Sequence, residues 1–312
     1  MRTLAWLGRQ GPRAIAALVF IGVAAPPLGA LLKPFVTAAI FVLLSIAFLR
    51  VDVSELWEHL RRPTVPLAAT AWTALVVPTA VGATGLAAGL DTRSPGLFVG
   101  IMLQAIASPM MAAPSFAALI GLDATLVLVT LMVASTLTPF TAPLFAHAFL
   151  GRALELSPLA LGLNLFAIIA GSALVGLAIR RITGAATVRR FKNEIDGLNI
   201  LVAFVFVAAV MQNVAATTAS APLQMLGLAA AAVGIFLVVL ATTTLVFAWA
   251  GRERALAVGF MVSQRNMGLM LAATGGALPE LTWLYFAAAQ LPIYLSPLVL
   301  GPLARLTRAA PR

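Results

Sequence analysis

The chain has 312 residues, of which 62% are hydrophobic and 10% charged, and its mean hydropathy is +1.04. That apolar share lies far above a soluble domain's and identifies an integral membrane protein, while continuous runs rather than short alternating pieces exclude a porin-like barrel. The net charge of +10 is distributed in a way that marks topology rather than nucleic-acid binding, and the absence of cysteine removes disulfides, thiol chemistry and thiolate metal sites.

A bilayer core of about 30 Å needs about 20 apolar residues per helix. Ten such stretches follow one another, at residues 14–32, 34–49, 65–90, 94–119, 124–149, 157–179, 197–213, 222–250, 255–276 and 281–304. The basic segment Met1 to Arg13 precedes a first stretch long enough to span, which predicts a retained first helix rather than a cleaved signal peptide. Between the second and third spans, Arg50 to Pro63 predicts a short amphipathic helix at the membrane surface, with Ser54 as N-cap and Leu56, Trp57 and Leu60 toward lipid; an ordinary solvated loop is the alternative.

The fourth span meets Ser108-Pro109-Met110-Met111-Ala112-Ala113-Pro114-Ser115. Its two prolines remove two backbone donors and clash with the preceding turns, so a straight helix is not expected. Ser108 before Pro109 is the order of an N-cap followed by the first residue of a new helix. A long charged connection, Arg180 to Asp196, follows the sixth span. The ninth span is interrupted by Ser263-Gln264-Arg265-Asn266 and Gly268, where Asn266 is placed to cap a second half-helix.

Placing both termini in the cytoplasm of a bacterial cell puts sixteen of the twenty Lys and Arg residues in cytoplasmic segments, with Lys33, Arg93 and Arg152 opposite and Arg265 inside a span. This satisfies the positive-inside rule and locates the protein in the inner membrane. Five spans in residues 1–150 and five in residues 151–312 would lie in opposite orientations if they are repeats, the plan of many secondary transporters. Leu97-Phe98-Val99-Gly100-Ile101-Met102 matches Leu256-Ala257-Val258-Gly259-Phe260-Met261 at four of six positions, offset by 159 residues, and each match runs into an interruption. The sequence thus predicts an all-α membrane protein of two inverted five-helix repeats with discontinuous fourth and ninth spans.

Arg265 is the one charged residue inside the long apolar segments, with no acid there to neutralise it. A central Arg costs roughly 2.5–3.5 kcal/mol on insertion scales, and an intramembrane charge is by default a functional-site hypothesis. Half-helices that begin near the midplane add unpaired amides and positive dipole ends, so the site is expected to attract an anion. Arg265, Asn266, Gln264, Ser263, Gln104, Ser108 and Ser115 are the candidate binding residues. The alternative is that Arg265 only staples the crossover by donating to backbone carbonyls released at the break. Scattered polar residues such as Asn164, Asn199, Gln212, Gln290, Tyr294 and Ser296 suit interhelical hydrogen bonding, and His147 suits the membrane interface. No HExxH, GxSxG, paired carboxylates or histidine cluster points to an enzyme.

With Pro109 at the first break, Ser135-Thr136-Leu137-Thr138 in the fifth span and Asn266-Met267-Gly268-Leu269 at the second break, the chain resembles the bile acid:sodium symporter family. The resemblance implies a panel domain beside a core domain whose broken fourth and ninth spans cross. Thr73, Ser135, Thr136, Thr138 and Met261 fall at or beside the family's ion-site positions. The departures matter more. Crossover Ser and Asn positions fall on Pro114 and Ser115, two span-five hydroxyl positions on Leu128 and Met132, a span-three Gln on Thr73 before Pro78, a span-nine Glu on Met261 and a Gln on Arg265. A hard cation wants oxygen, which Met, Leu and Pro side chains do not supply. The resemblance therefore implies transport of a small or amphipathic organic anion by alternating access, with the Arg265 guanidinium in place of the bound cation and sodium replaced by exchange, proton coupling or facilitated diffusion. Met132, Phe140, Phe145 and Tyr285 are the expected apolar lining. No cofactor, metal or nucleic acid is expected; the partners are the anion and the bilayer. The alternatives are a sodium-coupled organic anion symporter with a rearranged ion site, and a non-transporting sensor on the same scaffold. Arsenite efflux is disfavoured, because such relatives use a crossover cysteine.

Overall fold

A bilayer offers no water to exposed backbone groups, so a chain this apolar closes its hydrogen bonds inside helices. The computed structural model describes residues 2–10, 17, 20–51, 63–154 and 156–309. It is 88% helical, with no strand among the described residues, which makes the protein an all-α one. In chain order the helices are α1 (Arg2–Gln10), α2 (Pro26–Leu32), α3 (Val36–Leu49), α4 (Thr64–Ala71), α5 (Val77–Ala87), α6 (Leu90–Arg93), α7 (Pro95–Ile106), α8 (Ala113–Ile120) and α9 (Ala124–Leu150). They continue as α10 (Pro158–Thr183), α11 (Ala185–Arg190), α12 (Lys192–Val210), α13 (Val214–Ser220), α14 (Pro222–Val246), α15 (Arg252–Ser263), α16 (Met267–Ala273) and α17 (Glu280–Ala309).

Among the described residues, seven stretches are long and apolar enough to cross a membrane: Pro26–Arg50, Thr64–Ala87, Ala124–Leu150, Pro158–Thr183, Lys192–Ser220, Pro222–Val246 and Glu280–Pro302. The boundary expected at Lys33 is a single 3-10 turn, Lys33–Phe35, joining α2 to α3 without a loop. Pro34, inside this continuous stretch, has no N–H to offer the Ala30 carbonyl, and the helical pitch changes at that point. Much of the expected span at 14–32 and the surface helix expected between Arg50 and Pro63 lie outside the described residues. The charged connection Arg180 to Asp196 is mostly helical, since α10 runs on to Thr183, α11 fills Ala185–Arg190 and α12 already starts at Lys192. The expected fourth and ninth spans are the pieces α7 and α15, of 12 residues each, followed by the shorter α8 and α16; no single piece is long enough to cross.

The chain divides into two compact units, each drawing on both halves of the sequence. The first comprises Met1–Val51, Asn164–Gly227 and Leu271–Ala277. Here α1, α2 and α3 all pack along α12. Arg50 Nη2 pairs with Asp196 Oδ1 at 2.6 Å, but both side chains are partly exposed and such pairs add only about 0–1 kcal/mol. Asn164 Nδ2 donates to the Ala273 carbonyl at 2.8 Å, an interhelical bond of the expected kind.

The second unit comprises Asp52–Leu163, Leu228–Met270 and Leu278–Arg312. Its core interleaves Phe236 and Leu240 of α14, Leu256, Phe260 and Met261 of α15, Leu126 and Leu131 of α9, and Ala113 and Ala117 of α8. Gly259 lets α15 touch α14: a Cβ there would collide with Thr244 Oγ1 and lie 2.9 Å from the Leu240 carbonyl. Trp72 Nε1 donates to Thr243 Oγ1 at 2.9 Å, and its ring meets Phe247 edge-on at 6.4 Å. These contacts fix the end of α4 against α14, and α4 leads directly into the element that faces the site.

Candidate functional site at the two helix breaks

At the first break α7 ends with Ile106, Ala107 turns extended at ψ 149°, and α8 begins only at Ala113. Pro109 has no N–H to continue the helix, and its ring disfavours helical geometry in the residue before it. The expectation that Ser108 caps a helix starting at Pro109 is not met. The N-cap of α8 is Ala112, with no side-chain bond, and Pro114 rather than Pro109 takes the helix-start place. The physical reason is competition: the backbone around Pro109 is already engaged with the other break.

At the second break α15 ends with Ser263, Gln264 is extended, and α16 starts at Met267. Asn266 Oδ1 accepts from the Leu269 N–H at 3.0 Å, the cap that the sequence predicts. The two breaks then cross as a minimal antiparallel bridge between Pro109 and Arg265. Met110 N donates to the Gln264 carbonyl at 2.7 Å, and Asn266 N donates to the Ser108 carbonyl at 2.8 Å. Broken helices leave orphan main-chain groups, and here each break satisfies those of the other.

Arg265 is only 3% exposed. Its Nη1 donates to the Ala107 carbonyl at 2.9 Å and to the Thr73 carbonyl at 3.4 Å, and Nη2 reaches Thr73 at 3.5 Å. The Ala107 carbonyl belongs to the negative end of α7, which favours a cation. The Thr73 carbonyl is free because Trp72–Val76 forms a π turn, in which the Val77 N–H reaches back to Trp72. In α geometry the donor to Thr73 would be Val77, already committed; in π geometry it would be Pro78, which has no N–H. No carboxylate among the described residues pairs with Arg265. Within the protein, the partners of the guanidinium are therefore main-chain carbonyls, the stapling arrangement, and not an acid.

Beside the guanidinium lies a narrow pocket whose polar lining is Gln104, Ser263 and Arg265 and whose apolar wall includes Val81, Phe236, Val239 and Val262. Gln104 is oriented by Tyr285, whose hydroxyl donates to Oε1, leaving the amide nitrogen as the free end. The Ser263 hydroxyl donates to the Phe260 carbonyl at 2.8 Å. Gln264 is fully buried and does not line the pocket; its Nε2 donates to Ser296 Oγ at 2.6 Å and its Oε1 has no partner. Ser108 contributes its carbonyl, not its hydroxyl.

Other candidates are not brought to this place. Ser115 is exposed on α8 and does not line the pocket. Thr136 is exposed and donates to the Met132 carbonyl at 2.9 Å, while buried Thr138 donates to Ala134 at 2.9 Å. Both bonds stay within their own helix. Met261 is core. Thr73 is present through its carbonyl, its hydroxyl being turned to Ala69 at 2.6 Å. Buried Ser135 Oγ and Thr70 Oγ1 lack partners. Of the expected apolar lining, Phe140 is 61% exposed and Tyr285 is fully buried. Sequence reasoning missed Ala107; it gives Tyr285 as apolar lining, whereas its hydroxyl orients Gln104, and Ser296 makes an interhelical bond of the kind expected of it. No protein-family model matches the chain, and no curated protein matches it.

Proposed function

We propose that the protein is a secondary transporter of a small or amphipathic organic anion, working by alternating access without a sodium requirement. The observation that carries this reading is the guanidinium of Arg265 among the Thr73 and Ala107 carbonyl oxygens where the two broken helices cross. Main-chain carbonyls at a helix break are ligands that a hard cation takes in many transporters. A tethered guanidinium in that position supplies the charge permanently, so no ion has to bind before the crossover is stable. The narrow pocket next to it sets the guanidinium and Gln104 against apolar walls and has room for only a water-sized group in this conformation, so the reading requires it to widen when the anion binds.

The same reading takes the second compact unit as the transport core and the first as the panel of a divergent bile acid:sodium symporter-like carrier. It keeps ten spans in two inverted five-helix repeats, with both termini in the cytoplasm and the protein in the bacterial inner membrane. The matching construction of α7 with α8 and α15 with α16 supports the repeat. The test is a thermal-shift screen of carboxylates and sulfonates, followed by uptake of the best ligand into proteoliposomes with sodium or choline outside. Equal rates in the two salts are expected, with at least a tenfold fall for Arg265→Gln. Uptake driven by the sodium gradient, or uptake unaltered in Arg265→Gln, defeats the reading.

A further inference from the structure

We infer that α1, the end of α10, α11 and the start of α12 form a seat for the headgroups of anionic phospholipids. All four elements belong to the first compact unit, and the inference does not depend on the transport reading.

The chain itself collects the cations. Helix α10 is long and apolar enough to span, so Arg181 in its last turn marks the level where the chain leaves the hydrocarbon. Arg189 and Arg190 end α11 and Lys192 opens α12; these three and Arg181 are all exposed. Helix α1 is brought to the same level by a close backbone contact. A Cβ on Gly8 would collide with the Asn193 carbonyl and lie 2.9 Å from the Gly197 nitrogen, and one on Gly197 would collide with the Leu4 carbonyl. Arg9 follows Gly8 and Lys192 precedes Asn193, so two exposed cationic residues adjoin this one backbone contact.

Charge and apolarity are both unbalanced here. Asp196 is taken by Arg50, leaving half-buried Glu194 as the one acid between Arg181 and Ile195. Trp6 is 58% exposed and Ile182 is 85% exposed. Arg190 lies over the Phe191 ring at 5.7 Å, which leaves its charge without an acid, and large exposed apolar side chains in such a basic segment are poorly placed in water and well placed where acyl chains meet phosphates. A basic amphipathic helix beside a juxtamembrane Arg cluster is the pattern that recognises anionic lipid.

The experiment is native mass spectrometry of the full chain after incubation with equimolar phosphatidylglycerol and phosphatidylcholine in micelles. Retention of phosphatidylglycerol at least fivefold over phosphatidylcholine is expected. Arg189→Gln with Arg190→Gln should cut that ratio at least twofold, as should Gly8→Leu, which pushes α1 off α12. The charge-matched control, Arg252→Gln with Arg254→Gln at the exposed start of α15, should leave it unchanged. Equal retention of the two lipids, an equal loss in the control, or an unchanged ratio in Gly8→Leu overturns the inference.

Discussion

Between α7 and α8 the helix stops because prolines take donors away, whereas between α15 and α16 it stops where Gln264, Arg265 and Asn266 insert side-chain hydrogen-bonding groups. The first break is thus a set of main-chain vacancies, with carbonyls at Ala107 and Ser108 and an N–H at Met110. The second brings what fills them: the Arg265 guanidinium, the Asn266 N–H and the Gln264 carbonyl. The pairing teaches that the polar residues of one span can be required by the backbone of another. It also predicts an asymmetry, with side-chain changes in the second break costing more than changes in the first.

The largest effect is expected for Arg265→Leu, which leaves the Thr73 and Ala107 carbonyls buried without a donor. At about 1–3 kcal/mol for each orphaned group, a loss of about 2–6 kcal/mol is expected in unfolding measured in mixed micelles. A stability equal to that of the parent would show that the guanidinium does not hold the crossover. A double-mutant cycle then isolates Thr73. Adding Pro78→Ala to Arg265→Leu restores an N–H that can reach that carbonyl, so the pair should recover about 1 kcal/mol relative to the sum of the single changes. Strict additivity would argue against the π-turn explanation.

Asn266→Ala should cost about 1 kcal/mol through loss of the α16 cap, read from the same unfolding curves. The smallest change is expected for Ser108→Ala, under about 0.5 kcal/mol, because its hydroxyl makes no hydrogen bond among the described residues. If Ser108→Ala proved as costly as Asn266→Ala, the contrast between the two breaks would collapse.

Much of this arrangement was legible in the sequence. Prolines at 109 and 114, and a polar run at 263–266 inside apolar stretches, are local signals of interrupted helices, and an Asn just before a helical run is a local signal of a cap. The local signal that holds at Asn266 fails at Ser108. Both stand where a capping residue stands, and only the tertiary pairing of the Ser108 carbonyl with Asn266 separates them. Nearness along the chain sets Ser115 with the crossover, yet on the short helix α8 it is exposed. The partners of Arg265 were not identifiable individually, because they are main-chain atoms whose availability depends on a π turn and on how far α7 continues. Likewise the sequence sets Lys33 between two spans, whereas a change of helical pitch accommodates it within one stretch.

The use of main-chain acceptors at Thr73 has a genetic consequence. Every amino acid carries the same carbonyl, so drift at residue 73 leaves the tie to Arg265 intact, and residues 73 and 265 will show no covariation across descendants of this chain. Pro78 is different, since it alone withholds the competing N–H. In a selection for revertants of an Arg265 variant, compensating changes should therefore accumulate at position 78, where any other residue returns a main-chain donor to the Thr73 carbonyl.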